Sequence, residues 1–145
     1  MLGRLLSMRG RQLPAELARA VEILVEMFKP IAIILFGSRA RGDYKPWSDY
    51  DILIIADFDK SFLDRIGDIF EALSNIDLPI EPHLYTLEEA LNMLDKGNPI
   101  IIDSLSEGLV LYKTPEFDKL VEKLDEMIRK GLRKSETTII LPKNI

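Results

Sequence analysis

The chain contains no cysteine and a single histidine. The first absence excludes disulfides and thiolate metal sites, and the second argues against a histidine-ligated metal centre. Any metal therefore rests on carboxylates, which points to Mg²⁺ or Mn²⁺. No apolar run reaches the roughly 18 residues that a membrane helix needs. "IAIILF" (31–36) and "DILIIA" (51–56) have strand lengths instead. The N-terminus "MLGRLLSMRGRQLPAEL" shows no long apolar h-region and no small-residue cleavage site, so a cytoplasmic protein with no membrane partner is expected. Repeats and low-complexity linkers are lacking too.

What remains is the composition of one folded domain. The chain has 145 residues, of which 47% are hydrophobic and 30% charged, enough to bury a core. The net charge of −5 is unevenly spread. Arg4, Arg9 and Arg11 precede any acid, and Arg129, Lys130, Arg133, Lys134 and Lys143 stand near the other end against Glu136 alone. Basic ends on an acidic body suit an acidic partner or are solvated tails. The acidic body argues against strong nucleic-acid binding, which depends on cation–phosphate contacts.

Periodicity gives the element order α-β-β-α-β-α-α-β-α. Leu17, Val21, Leu24 and Phe28 recur at helical spacing between Pro14 and Lys29-Pro30,. "IAIILF" and "DILIIA" read as buried strands, with at most a short helical turn at "RARG" between them. That link is too short for a helical crossover, so the pair is expected to be antiparallel. Ser61 and Asp64 mark the start of a helix to about Ser74. "PIEPHLY" (79–85) is a strand that Pro82 pushes towards an edge. Thr86 and Glu89 form a capping box, Asn98-Pro99 opens a further helix, and "LVLY" (109–112) is a strand. Thr114-Pro115 is expected to cap a helix to about Lys130, with Asp125–Arg129 and Glu126–Lys130 spaced for ion pairs. "TTIIL" (137–141) is either a last strand or a tail that orders on a partner. The expected class is α+β: a mixed sheet of four to five strands with helices packed against it.

The chemistry concentrates in "GSRARGDYKPWSDYDILI" (37–54). Gly37 lets backbone approach a ligand. Ser38 sits where a strand yields to a helical turn, so exposed N–H groups and its hydroxyl can hold phosphate oxygens. Asp49 and Asp51, two apart at a strand entry, fall on one face. Two such carboxylates repel unless a divalent cation joins them. Glu81 on "PIEPHLY" is the best-placed third acid. Three carboxylates around one or two Mg²⁺ ions, with a triphosphate at Gly37-Ser38, make a layout for nucleotidyl transfer. Arg39 and Arg41 are either triphosphate partners or solvated loop charges. Trp47 reads as packing over the loop rather than stacking on a base. Tyr44 and Tyr50 read as packing residues, and His83 as structural or surface rather than a proton carrier.

"GSRARGDYKPWSDYD" fits the G-S-x10-D-x-D signature and resembles the nucleotidyltransferase superfamily of DNA polymerase β, most closely its minimal nucleotidyltransferases. The specific match covers about residues 31–56. The resemblance implies a nucleotidyltransferase fold, with Gly37 and Ser38 holding phosphate and Asp49, Asp51 and Glu81 as catalytic metal ligands for two Mg²⁺ ions (or Mn²⁺). It implies ATP as substrate and a HEPN-domain toxin as partner, with AMP transferred to a hydroxyl of that protein by an antitoxin. The rival readings are a small-molecule nucleotidyltransferase completed by dimerisation and a non-catalytic toxin-binding module. On this reading the chain divides into a basic N-terminal segment (1–13), a nucleotidyltransferase domain (14–131) and a C-terminal tail (132–145) that reaches the partner in a homo- or hetero-oligomer.

Overall fold

Prolines and capping side chains set the element boundaries in the computed structural model, which describes residues 13–135 and 137–142. Pro14 stands just before α1 (Ala15–Phe28), and Lys29 closes that helix in the left-handed region with φ 46°. Pro30 then blocks any continuation. β1 (Ala32–Phe36), the one-turn α2 (Ser38–Arg41) and β2 (Tyr50–Ile55) follow. α3 (Phe62–Ala72) starts at Ser61, whose side chain accepts from the Asp64 N–H. β3 (Ile80–Tyr85) leads into α4 (Leu87–Asp95), where the capping box of Thr86 and Glu89 is formed on both sides. Asn98 caps α5 (Pro99–Glu107), and β4 (Leu109–Lys113) precedes α6 (Asp118–Arg129). A short hairpin of β5 (Arg133–Lys134) and β6 (Ile139–Ile140) ends the described chain.

The main sheet has the order β3-β2-β1-β4. β1 runs antiparallel to β2 and β4, while β2 and β3 are parallel across the α3 crossover. The expected mixed sheet and the antiparallel first pair are therefore observed. β3 is an edge strand, the place where a proline such as Pro82 is tolerated. Period-2 alternation divides the sheet into two buried faces. Ile33, Leu35, Ile52 and Ile54 pack with Leu17, Val21 and Leu24 of α1 and Ile69 of α3. Ile34, Phe36, Leu53 and Ile55 pack with Ala90 and Leu94 of α4, Ile101 of α5 and Leu120 of α6. Each fully buried Ile or Leu contributes about 1.5–3 kcal/mol of transfer free energy, so β1 and β2 are held rigidly from both sides. Among the described residues no helix is long and apolar enough to cross a membrane.

Three local expectations change in detail. The helix expected from Thr114-Pro115 opens instead with a 3-10 turn, Pro115–Phe117. Thr114 makes no side-chain cap, because its hydroxyl donates to the Ile31 carbonyl at 3.1 Å. Of the two ion pairs expected on α6, Glu126–Lys130 is formed at 2.8 Å. The end of the chain folds back: Leu132 is buried in the second core, Ile139 packs against it, and Lys134 reaches Asp103 at 3.2 Å and Glu107 at 3.6 Å. The basic residues Arg4, Arg9 and Arg11, like Glu136 and Lys143, lie outside the described residues.

Arg65 joins three elements from an almost fully buried position, 9% exposed. It donates to the Lys60 carbonyl at 2.9 Å, to the Leu84 carbonyl at 3.4 Å and to Glu89 Oε1 at 2.7 Å. That same Glu89 oxygen accepts the Thr86 N–H at 2.8 Å. The Arg65 hydrogen bond holds the Glu89 carboxyl below its usual range, against a smaller opposing effect of burial. A lowered pKa stabilises the fold above the ordinary carboxylate range and stops doing so as pH falls through the lowered value. Glu89→Gln should therefore cost about 1 kcal/mol near pH 7. Urea melts of parent and variant should converge as pH falls below the ordinary carboxylate range and through the lowered value.

Candidate active site

The end of the sheet where β1 finishes and β2 begins carries the polar cluster. β2 lies between β1 and β3, so Asp51 is opposite Phe36 on one side and Glu81 on the other. Leu53 and His83 are the next same-face pair in the parallel ladder. The pleat thus puts Asp51, Glu81 and His83 on one face. Ligand atoms of these three residues lie within 4.8 Å of one another. The His83 Nε2–Asp51 Oδ1 distance is 3.3 Å. With Asp51 ionised, the carboxylate can only accept, and Nε2–H is then the donor. The His83 ring is further fixed edge-on to Phe36, with centroids 5.0 Å apart.

The electrostatics of the cluster are those of two acids pressed together. A hydrogen bond to Asp51 raises the Glu81 carboxyl above its usual range; partial burial and the charges of Asp51 and Asp49 push the same way, while His83 opposes them. A shared proton or a cation relieves that repulsion. The donor set, carboxylate oxygens with an imidazole on Asp51, fits a hard divalent cation whose carboxylate ligand is oriented by a hydrogen bond. Asp49 stands exposed one residue before β2. It is outside the three-residue cluster but close enough to be felt by Glu81.

Gly37 is required twice over. Its φ of 75° and ψ of −160° lie where side chains are rarely accommodated,. A Cβ there would also fall 2.5 Å from Asp51 Oδ2. Its carbonyl accepts the Ala40 N–H at 3.0 Å and the Arg41 N–H at 3.1 Å, starting the single turn of α2. The N–H groups of Ser38 and Arg39 in that first turn have no acceptor within it, as at every helix start.

The remaining expected residues are placed less directly. Arg39 donates to the Ser48 and Pro46 carbonyls, and Arg41 pairs with Asp43 at 3.3 Å and Glu107 at 3.2 Å. Tyr50 is buried and Tyr44 half-exposed. Trp47 does not pack over the loop: it is 78% exposed, while the Pro46 and Ser48 carbonyls on either side of it accept from Arg39. A cavity of about 640 Å³, lined by Leu35, Arg39, Tyr44 and Tyr50 among others, opens on the sheet face opposite Asp51. The residue that sequence reasoning set aside is His83. Its spacing of two from Glu81 was the available signal, but only the β2–β3 register gives it Asp51 as partner.

Gly37→Ala should cost about 1–3 kcal/mol, from backbone strain together with the clash on Asp51. Chemical denaturation of the two proteins measures it, and a cost below about 0.5 kcal/mol would mean that the turn admits a side chain.

Comparison with known proteins agrees with this geometry. A family model described as a nucleotidyltransferase domain matches residues 17–130. A Methanocaldococcus jannaschii protein that carries the provisional name of a protein adenylyltransferase is 61% identical over 31 residues, 21% of this chain and 31% of that protein. A chain of a toxin–antitoxin crystal structure with AMP-PNP superposes with a TM-score of 0.56 at 23% identity, covering 80% of this chain and 88% of that one. A chain from the complex of tri-AMPylated Shewanella oneidensis HEPN toxin with MNT antitoxin gives 0.51 at 21% identity, covering 79% and 84%. At these identities the structural likeness establishes the fold. The family model spans most of the chain and takes in the Gly37 turn and all three acids, so this chain belongs to the nucleotidyltransferase-domain family.

Proposed function

We propose that this nucleotidyltransferase moves AMP from ATP onto a hydroxyl of a partner protein, and that the partner is a HEPN-domain toxin which the transfer silences. The observation that carries the reading is the Asp51–Glu81 pair on adjacent parallel strands beside the Gly37 turn. The provisional name of the M. jannaschii relative, the AMP-PNP in one structural neighbour and the AMPylated toxin in another support the same chemistry. Structural neighbours that are toxin–antitoxin complexes support the HEPN partner.

Gly37 and Ser38 would hold the triphosphate through the open N–H groups of the α2 turn, and Arg41 would add positive charge to the same turn. Asp51 and Glu81, with Asp49 at the strand entry, would hold Mg²⁺ or Mn²⁺. When bound, the ion neutralises triphosphate charge and lowers the pKa of the attacking hydroxyl. The acceptor oxygen forms a bond to the α-phosphorus, the bond from that phosphorus to the bridging oxygen breaks, and pyrophosphate leaves. The hydroxyl proton departs to solvent by way of the Asp51–Glu81 pair. His83 holds Asp51 in register throughout.

Incubation with ATP, Mg²⁺ and the HEPN protein of the same genome should add AMP to that protein, read as a mass increase of the intact partner. Transfer to a small molecule without the partner, or none to either, would contradict the reading. Asp51→Asn should abolish transfer while the metal-free variant melts no lower than the parent, since one of two crowded charges is removed. Glu81→Gln should lower the single-turnover rate by about a hundredfold or more with little change in ATP affinity, because the ion that carries the triphosphate would still rest on Asp49 and Asp51 and the Glu81 interaction would be made mainly in the transition state. Transfer by Glu81→Gln at the parent rate would remove Glu81 from the site.

A further inference from the structure

Arg39 stands at the centre of the loop that leads from α2 to β2. Its Nε and one terminal nitrogen donate to the Ser48 carbonyl at 3.2 and 3.1 Å, and the same terminal nitrogen reaches the Pro46 carbonyl at 3.4 Å. The guanidinium carbon lies 4.1 Å from the Tyr44 ring centroid and 4.5 Å from that of Tyr50, within cation–π range of both. Tyr50 is itself anchored, buried in β2 with its N–H on the Pro79 carbonyl at 2.8 Å. The loop also closes on itself: the Ser48 N–H reaches the Lys45 carbonyl at 3.0 Å, and the Lys45 N–H reaches Ser48 Oγ at 2.9 Å.

The Ser48 carbonyl belongs to the peptide that joins Ser48 to Asp49. A group that holds this carbonyl fixes the peptide plane from which Asp49 projects. A planar guanidinium can do so while stacked on aromatic rings, whereas an ammonium cannot form the same fork. We propose that Arg39 is a positioning residue: a strut, held against Tyr44 and Tyr50, that sets the 45–48 turn and through the Ser48–Asp49 peptide the aim of Asp49. It acts through the loop and not by gripping the triphosphate. The role of Asp49 rests on the function proposed above.

The lone tryptophan, Trp47, sits between the two carbonyls that Arg39 holds, so its fluorescence anisotropy reports the loop without any nucleotide or metal. Arg39→Lys and Arg39→Gln should both raise the amplitude of the fast depolarising component of Trp47 above that of the parent. Tyr44→Leu, a change at a half-exposed ring, should do the same to a smaller extent and keeps the test available if the Arg39 variants fail to fold. In transfer assays both Arg39 variants should lose kcat by about tenfold to a hundredfold, with the KM for ATP within about threefold. Lysine should not rescue, because an ammonium keeps the charge but cannot form the guanidinium's fork to the Ser48 and Pro46 carbonyls,. Unchanged Trp47 anisotropy in Arg39→Gln overturns the proposal whatever the activity does. A raised KM for ATP in Arg39→Gln, restored by Arg39→Lys, overturns it in favour of a direct phosphate contact. If the parent transfers no AMP, the functional reading falls by itself and the anisotropy alone decides the strut.

Discussion

Two carboxyl groups placed side by side are the constraint around which this end of the molecule is organised. Like charges about 4 Å apart cost roughly 1 kcal/mol in water and about 4 kcal/mol near a protein surface, and nothing about a sheet edge requires that cost. It is borne because neither strand can shift. β2 is buried on both faces from Ile52 to Ile55. The parallel ladder with β3 fixes Asp51 against Glu81, and a slip of one residue would turn Asp51 into the α1 side of the core,. The raised proton affinity of Glu81 is the visible result of that forced proximity. His83, in contact with Asp51, works in the other direction and lowers the Glu81 carboxyl.

The surroundings of the pair keep side-chain atoms off Asp51 or hold a neighbouring segment still. Gly37 keeps side-chain atoms away from Asp51 Oδ2 and starts the α2 turn. Arg39 fastens the loop that carries Asp49. Arg41 ties the far end of α2 to Glu107 of α5, and Glu107 in turn meets Lys134 of the terminal hairpin. A line of ion pairs therefore runs from the C-terminal segment to the α2 turn. Exposed pairs of this kind contribute little stability each, so their consequence is placement. At the opposite end of β3, Arg65 joins α3, β3 and α4 and keeps the crossover in position.

Much of the fold was legible because its boundaries are written in residues with local physical effects. Ser61, the Thr86–Glu89 box and Asn98-Pro99 mark helix starts that need no tertiary information. The two apolar runs could only be buried strands, and the short link between them forced the antiparallel pairing. At the site, the spacing of Gly37, Ser38, Asp49 and Asp51 was readable, and so was Glu81 as a neighbouring acid. What could not be read was register. Only the β2–β3 ladder places His83 beside Asp51, and only the folded loop turns the Pro46 and Ser48 carbonyls inward, leaving Trp47 outside. Thr114 failed as a cap for the same reason: a carbonyl distant in sequence, that of Ile31, took its hydroxyl.

On the proposed function, the Asp51–Glu81 pair receives a divalent cation together with a nucleoside triphosphate. Titration calorimetry with ATP, run once with Mg²⁺ and once with EDTA, addresses it most directly. Clear saturable binding with Mg²⁺ and at least tenfold weaker binding in EDTA is the predicted result, a difference of about 1.4 kcal/mol or more. Equal affinity under the two conditions would contradict the account, leaving the paired acids as a feature of the sheet and not of a site.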